Sequence, residues 1–159
     1  DQRFLRGIMA NITLYKQLQQ ISGLKKKDLM IAALRQLHPS AQHFLVYALD
    51  SQIEWLLPEG MDVPFKKQSN ANDQEGRLLA EVRRLYVFLK GGNPNLKQVR
   101  REHLFVQLLE TVHPDDAELL LYAKDKKLPF KNITEELIRE AYPQYFFFTS
   151  PQYFEGKNV

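Results

Sequence analysis

Apolar residues recur at helical spacing along most of this chain, and that periodicity limits the fold more than any other feature. Residues 30–37 follow the i, i+3, i+4, i+7 pattern of one buried helix face. The pattern returns over residues 78–89 and again over residues 96–112. Strand-like alternation is scarce, and no Asn-Gly or Asp-Gly hairpin turn occurs. We therefore predict an all-α fold, a compact single-domain bundle of about six to seven helices.

Prolines and glycines mark where the predicted helices begin and end. Pro39 and Pro114 each follow a histidine and fit the first turn of a helix, where a missing N–H costs nothing. Gly91 fits the left-handed position just past a helix end, and Asn93 with Pro94 fits the start of the next helix. We predict helices over residues 11–21, 25–37, 40–49, 74–90, 94–112, 114–127 and 134–142.

The helical region defines the predicted domain organisation. The three parts are an N-terminal extension at residues 1–10, a helical domain at 11–143 and an aromatic C-terminal segment at 144–159. Within the domain, residues 58–73 lack any period, and loops of this length are often functional. We interpret this loop as a surface crossover that Val63 and Phe65 pin to the core, with a mobile or functional loop as the alternative.

An internal repeat emerges when residues 24–50 are aligned with residues 99–125 without a gap. The identities include His38-Pro39 with His113-Pro114, Tyr47-Ala48 with Tyr122-Ala123, and Asp50 with Asp125. Each copy has a helix, a His-Pro corner and a second helix, and neither pair can bury its apolar face alone. We predict a duplicated helix-corner-helix unit, with a chance match between leucine-rich helices as the alternative.

The chain contains no cysteine, which excludes disulfides, thiolate zinc sites and cysteine nucleophiles. No apolar run approaches the roughly 20 residues of a membrane helix, and no signal-peptide pattern opens the chain, so we predict a soluble protein without a membrane partner. Met9 is typical of a natural start, which makes residues 1–8 an expected upstream extension. The net charge of +3 permits nucleic-acid binding without arguing for it.

The histidines are the first candidates for metal binding or acid–base chemistry. They are His38, His43, His103 and His113. None has a metal-ligand spacing such as His-Glu-x-x-His, and a structural role at the His-Pro corners explains two of them. An enzyme would need His113 with Asp115 or Asp116 as a working pair, yet a favourable interaction with the helix dipole already explains both carboxylates. We therefore predict a non-enzymatic protein with no catalytic residue, no metal and no cofactor.

Basic residues at two predicted helix starts are candidates for binding an anion or a nucleic acid. They are Lys25, Lys26 and Lys27 near the start of the first repeat copy, and Lys97, Arg100 and Arg101 near the start of the second. A helix N-terminus with nearby cations attracts phosphate, whereas such residues are more often a solvated helix face. If the repeat is real, the two groups take matching places and form a divided basic patch.

A cluster of aromatic residues makes the C-terminal segment a candidate protein interface. Its members are Tyr145, Phe146, Phe147, Phe148, Tyr153 and Phe154. Aromatic side chains are good interface anchors, and an exposed cluster would bind a partner or form a homodimer with a second copy of the chain. Packing against the chain's own helical core is the alternative.

Five strings between residues 53 and 131 carry a resemblance to a known family. They are residues 53–60 (IEWLLPEG), 81–88 (EVRRLYVF), 91–98 (GGNPNLKQ), 113–121 (HPDDAELLL) and 126–131 (KKLPFK). Over about residues 24–143 the chain resembles an uncharacterised family of small proteins from large contractile-tailed, myovirus-type bacteriophages. The resemblance implies a phage-encoded viral protein in the cytoplasm of the infected bacterial host, and it implies no activity.

The leading hypothesis is a non-enzymatic phage accessory protein that binds a host or viral protein and modulates or inhibits host machinery. It depends on the helical domain, the long loop at 58–73 and the aromatic C-terminus. The first alternative is a nucleic-acid-binding phage protein that uses the basic helix starts. The second is a minor component of the virion.

Overall fold

The computed structural model describes residues 12–67 and 75–146, and this part of the chain is helical. Its elements are α1 (Leu14–Ser22), α2 (Lys27–Gln36), α3 (Pro39–Leu49), α4 (Arg77–Glu81), a 3-10 helix (Val82–Phe88), α5 (Gln98–Thr111), α6 (Pro114–Lys124), α7 (Glu135–Ala141) and α8 (Pro143–Phe146). The described residues contain no strand, only an isolated antiparallel bridge between Trp55 and Leu89. The predicted all-α, single-domain fold is confirmed. None of these helices is long and apolar enough to span a membrane.

The core lies around α3 and α6, which pack against each other. Residues 44–48 and 119–121 are buried without a break, so neighbouring elements cover these two helices on more than one side. Helix α1 packs on α6, α2 packs on α7, and the 3-10 helix packs on both α3 and α5. Tyr142 closes the core after α7: its hydroxyl donates to the Leu34 carbonyl inside the fold.

The duplicated unit is present as two helix-corner-helix pairs, α2 with α3 and α5 with α6. The two corner histidines have nearly the same backbone angles, φ −53° and ψ 142° at His38 and φ −57° and ψ 142° at His113. In each corner a proline opens the second helix, as predicted. Because α3 and α6 contact each other, the two units share one core.

The predicted helix at 74–90 is wrong in its second half, where the chain forms a 3-10 helix instead of an α-helix. The buried residues of this stretch, Val82, Leu85 and Phe88, are three positions apart. Three residues per turn is the 3-10 period, so the tighter winding places all three side chains on one buried line. An α-helix would rotate each successive one about 60° away from the core.

The predicted helix start at Asn93 and Pro94 is also wrong, because α5 begins at Gln98 with Lys97 as its cap residue. The residues before it form a turn, and Gly91 has the predicted left-handed conformation with φ +87°. The Asn93 carbonyl accepts hydrogen bonds from the Leu96 N–H in this turn and from the Arg101 side chain, which also donates to the Leu96 carbonyl. The Arg101 side chain therefore stabilises the turn that precedes its own helix.

Candidate functional site

A groove of about 340 Å³ lies between residues 57–64 and helix α5. Its lining residues are Leu57, Pro58, Glu59, Gly60, Asp62, Val63, Pro64, Glu102, Phe105, Val106 and Lys124. Leu57, Val63 and Pro64 form one wall, and Phe105 with Val106 forms the other. We call this feature the 57–64 groove.

The buried ammonium of Lys124 holds one wall of the groove in place. The Lys124 side chain is 1% exposed, and its Nζ donates to the carbonyls of Pro58, at 3.0 Å, and of Gly60. The same Nζ pairs with Asp125 Oδ1 at 2.8 Å, while Asp125 Oδ2 accepts the Gly60 N–H at 3.1 Å. Gly60 has φ +117°, a conformation that side-chain-bearing residues rarely adopt. These contacts give the loop a defined shape against the end of α6.

Two further hydrogen bonds tie the same segment to α5. The Gln98 side-chain amide donates to the Leu56 carbonyl at 2.8 Å, and Glu110 Oε2 accepts the Lys66 N–H at 2.8 Å. Val63 and Phe65 are half-buried and pack on the core. The interpretation of this loop as a pinned crossover is therefore confirmed as far as residue 67, and its remainder to residue 73 lies outside the described residues.

The 57–64 groove is acidic at its rim. Glu59 and Asp62 are exposed on the loop, and Glu102 is half-buried on α5, where it accepts a hydrogen bond from Gln98 Nε2 at 3.2 Å. None of these three carboxylates takes part in an ion pair with another described residue. Lys124 does not offset them, because Asp125 already balances its charge in the interior.

Apolar surface continues beyond the 57–64 groove. Of the large hydrophobic side chains in the described residues, Met61 on the loop is 41% exposed and Val99 on α5 is 83% exposed. Val99, Glu102 and Val106 are spaced i, i+3 and i+7, so they lie along one face of the helix. Met61 and Val99 lie outside the groove lining, on the loop and the helix that form the groove, and exposed apolar side chains of this kind favour contact with another protein.

The basic residues predicted to bind an anion are divided between two different surroundings. Lys25, Lys26 and Lys27 are exposed before and at the start of α2, and Lys97 and Arg100 are exposed at the start of α5. The ammonium of Lys27 pairs with Glu140 on α7 at 2.8 Å, and this hydrogen-bonded carboxylate raises the lysine's pKa.

Arg101 differs from the other basic candidates, because it is only 5% exposed and its guanidinium hydrogen bonds point into the fold. Nε donates to the Val87 carbonyl at 2.9 Å, and Nη1 donates to Gln98 Oε1 at 2.6 Å. Nη2 donates to the carbonyls of Asn93 and Leu96 at 3.2 and 3.3 Å. The structure thus places Arg101 as a support of the turn before α5, and the exposed anion candidates reduce to the other five residues.

Two of the aromatic interface candidates pack against the helical domain. The Tyr145 ring meets the His43 ring edge-on, with centroids 4.6 Å apart, and the guanidinium carbon of Arg139 lies 4.3 Å from the Phe146 ring centroid. Both aromatic side chains are half-buried against the core, which is the packing alternative considered for this segment. Phe147, Phe148, Tyr153 and Phe154 lie outside the described residues.

Of the two carboxylates that an enzyme could pair with His113, Asp115 lies beside the ring and Asp116 points away from it. His113 Nδ1 accepts the Asp115 N–H at 3.0 Å and is 3.9 Å from Asp115 Oδ2. Asp116 turns to α1 instead, where its Oδ1 accepts the Tyr15 N–H at 2.9 Å. Its second oxygen is buried without a hydrogen-bond partner, and burial raises the pKa of Asp116 to about 7. Among the described residues no group of three potential ligands is placed to hold a metal ion.

A second polar cluster, which no sequence motif predicted, joins the ends of the two repeated units. Lys126 Nζ and the Trp55 indole N–H both donate to the Tyr47 carbonyl, at 2.8 and 2.9 Å. Burial lowers the pKa of Lys126 to about 8, against the favourable charges of Asp50 and Glu135. The matching ends of the two copies, at Asp50 and Asp125, were the one sequence signal that pointed here.

A protein-family model matches residues 17–129 of the chain, more than two thirds of its length, and is described as "Family of unknown function (DUF6433)". The match includes every lining residue of the 57–64 groove and both helix-corner-helix units. It ends before the aromatic C-terminal segment. No curated protein and no solved structure matches the chain.

Proposed function

Because the chain belongs to DUF6433, a family of unknown function, we propose a function from the geometry of its own residues: it is a non-enzymatic protein-binding domain, and its partner docks in the 57–64 groove. The observation that carries this proposal is the pinned loop. Lys124 and Asp125 fix residues 58–60 by hydrogen bonds on both the carbonyl and N–H sides. A site that is already shaped loses little conformational entropy on binding, which favours recognition of a partner.

The surface around the groove supports the same proposal. The groove lining combines apolar side chains with the carboxylates of Glu59, Asp62 and Glu102. Met61 and Val99, on the loop and on α5, add exposed apolar area outside the lining. An apolar centre with a polar rim is the usual composition of a protein interface.

The biological setting is part of the proposal. The five strings between residues 53 and 131 that resemble proteins of contractile-tailed bacteriophages support a viral protein in the cytoplasm of an infected bacterium. The partner is then a host protein or another phage protein, and binding modulates or inhibits the machinery to which it belongs. This step rests on resemblance alone.

Nucleic-acid binding is the second candidate, since five basic residues are exposed near two helix starts. They are Lys25, Lys26, Lys27, Lys97 and Arg100. This candidate requires binding that weakens steeply with salt, because each phosphate contact releases a counterion.

A pull-down from infected-cell lysate tests the proposal with the tagged full chain as bait. Three baits are compared, each with and without nuclease: wild type, Val106→Arg in the groove, and Leu29→Arg as a matched control. Leu29 is 44% exposed on α2, outside the groove lining, so its change adds the same charge elsewhere. We expect one protein to be retained by the wild-type and Leu29→Arg baits even after nuclease treatment. The Val106→Arg bait should not retain it.

Two results would overturn the protein-binding proposal. Loss of all captured proteins after nuclease treatment would favour nucleic-acid binding over protein binding. Equal capture by wild type and Val106→Arg would show that the groove is not the docking site. Val99→Arg serves as a second groove-side variant, because an 83% exposed side chain is replaced without disturbing the core.

A further inference from the structure

We infer that the segment recognised in the 57–64 groove is basic and apolar: one aliphatic or aromatic side chain flanked by Lys or Arg. This inference rests on the proposed function and adds the chemistry of the partner. It follows from what the groove offers and from what its own contacts have already used.

The charge of the groove selects a basic partner. Glu59, Asp62 and Glu102 contribute three carboxylates to its lining, and no ion pair joins any of them to another described residue. The cation in the lining, Lys124, already donates hydrogen bonds to two backbone carbonyls and forms an ion pair with Asp125. A Lys or Arg brought to the rim would gain attraction from three carboxylates, whereas an acidic segment would meet like charge.

The shape of the groove selects a single apolar anchor. Its walls are Leu57, Val63 and Pro64 facing Phe105 and Val106. The volume of about 340 Å³ is at the lower end of the roughly 300–1,000 Å³ that ligand pockets enclose. A partner therefore inserts one large side chain rather than a whole helix face, and buried anchors of this kind dominate the affinity of an interface.

The backbone of the loop offers little for main-chain recognition. Pro58 and Pro64 have no N–H, and the carbonyls of Pro58 and Gly60 already accept from Lys124. The Gly60 N–H donates to Asp125. Strand addition needs a continuous row of unpaired donors and acceptors, and the groups already used or missing at Pro58, Gly60 and Pro64 interrupt such a row. Selectivity consequently lies in the anchor side chain and in the flanking charges.

The test selects binders from a random-peptide library on the full-length wild-type chain. Enriched peptides are then measured by fluorescence polarisation against Val106→Arg, Glu102→Lys, and the Leu29→Arg control. We expect enriched peptides that place an aliphatic or aromatic residue between lysines or arginines. Their affinity should fall about tenfold or more with each groove variant and stay unchanged with the control. Higher salt should weaken binding, since exposed charges are screened.

Each other outcome overturns a defined part of the argument. Enriched peptides that are neutral or acidic, yet depend on Val106, would refute the basic partner and leave protein binding in the groove intact. Peptides that bind Val106→Arg and Glu102→Lys as well as wild type would refute both the partner chemistry and the groove as the site. Concentration-dependent self-association broken by Val106→Arg would make the occupant a second copy of the chain, contrary to the inference.

Discussion

The rings of His38 and His113 perform the same task in the two repeated units. In each corner the Nδ1 atom accepts the backbone N–H two residues further on, at 3.0 Å. Each ring thereby caps a helix that opens with proline. The shared His-Pro pair is thus a structural element of the fold, and the capping explains why two histidines recur at this spacing.

Replacing either corner histidine with alanine removes a helix cap. We expect His38→Ala and His113→Ala each to lower the free energy of unfolding by about 1 kcal/mol, measured by urea denaturation. Asparagine is a good cap residue, so His38→Asn and His113→Asn should retain most of the stability. If the asparagine variants lose as much as the alanine variants, the rings stabilise the corners by packing rather than by capping.

The buried carboxyl of Asp116 makes stability depend on pH. Burial raises its pKa in the folded state to about 7, against 3.8 for the ordinary value, so the folded chain holds a proton that the unfolded chain releases. Its contribution to the unfolding free energy therefore decreases by a few kcal/mol in total as pH rises from about 4 to about 7. Above about pH 7 the contribution stays constant, because the carboxyl is ionised in both states.

The difference between wild type and Asp116→Asn isolates this effect, because asparagine carries no charge at any pH. Urea denaturation at several pH values should show wild type losing stability relative to the variant between pH 4 and 7. Asp115→Asn, at the half-buried neighbouring position, should keep most of the slope. A wild-type minus Asp116→Asn difference that does not change with pH would contradict the assignment.

Removing the Lys124 ammonium should release the groove loop. Lys124→Met leaves the carbonyls of Pro58 and Gly60 and the buried carboxylate of Asp125 without their cation. We expect a loss of about 3 kcal/mol in unfolding free energy and faster proteolysis within residues 58–67. Lys127→Met, on an exposed lysine, should change stability by less than about 0.5 kcal/mol. Unchanged proteolysis would show that the other contacts of the loop hold it without the Lys124 ammonium.

Arg101 should behave as a structural residue rather than as a ligand for anions. Arg101→Ala leaves the carbonyls of Val87, Asn93 and Leu96 without its donors. We expect a loss of about 2–4 kcal/mol by thermal or urea denaturation, because buried polar groups lose hydrogen bonds from a charged donor. Arg100→Ala, on an exposed arginine, should be near neutral. A stable Arg101→Ala variant that loses affinity for phosphate would restore the anion-binding assignment.

The sequence allowed a good prediction of the helices that local pattern specifies. The starts at Pro39 and Pro114 agree with the predicted ones to within one residue. The prediction failed at Val82, where a three-residue apolar spacing inside an α-like pattern became a 3-10 helix, and at Asn93, where the carbonyl bonds to Arg101. At Val82 the apolar spacing itself fits the 3-10 period, and at Asn93 a side-chain contact takes part in a turn where a helix start was predicted.

The candidate site was predicted only in part, because its key contacts join residues distant in sequence. Val63 and Phe65 identified the loop as pinned, yet no pattern linked it to Lys124, more than sixty residues later. Lysine at the end of an amphipathic helix is normally solvated and favourable to the helix dipole. Only the packing of the loop over α6 buries this amine, which then donates hydrogen bonds to the loop carbonyls.

Helical periodicity and the His-Pro corners could be predicted because each depends on residues a few positions apart, and the duplication could be recognised by aligning residues 24–50 with 99–125. The tertiary structure alone decided which polar groups are buried and which partners they have. Asp116 and Tyr15 are 101 residues apart, and no local sequence pattern relates positions so far from each other. Burial is a property of the assembled core, because only packing decides which side chains lose contact with water. It makes Lys124 and Arg101 hydrogen-bond donors inside the fold and raises the pKa of Asp116.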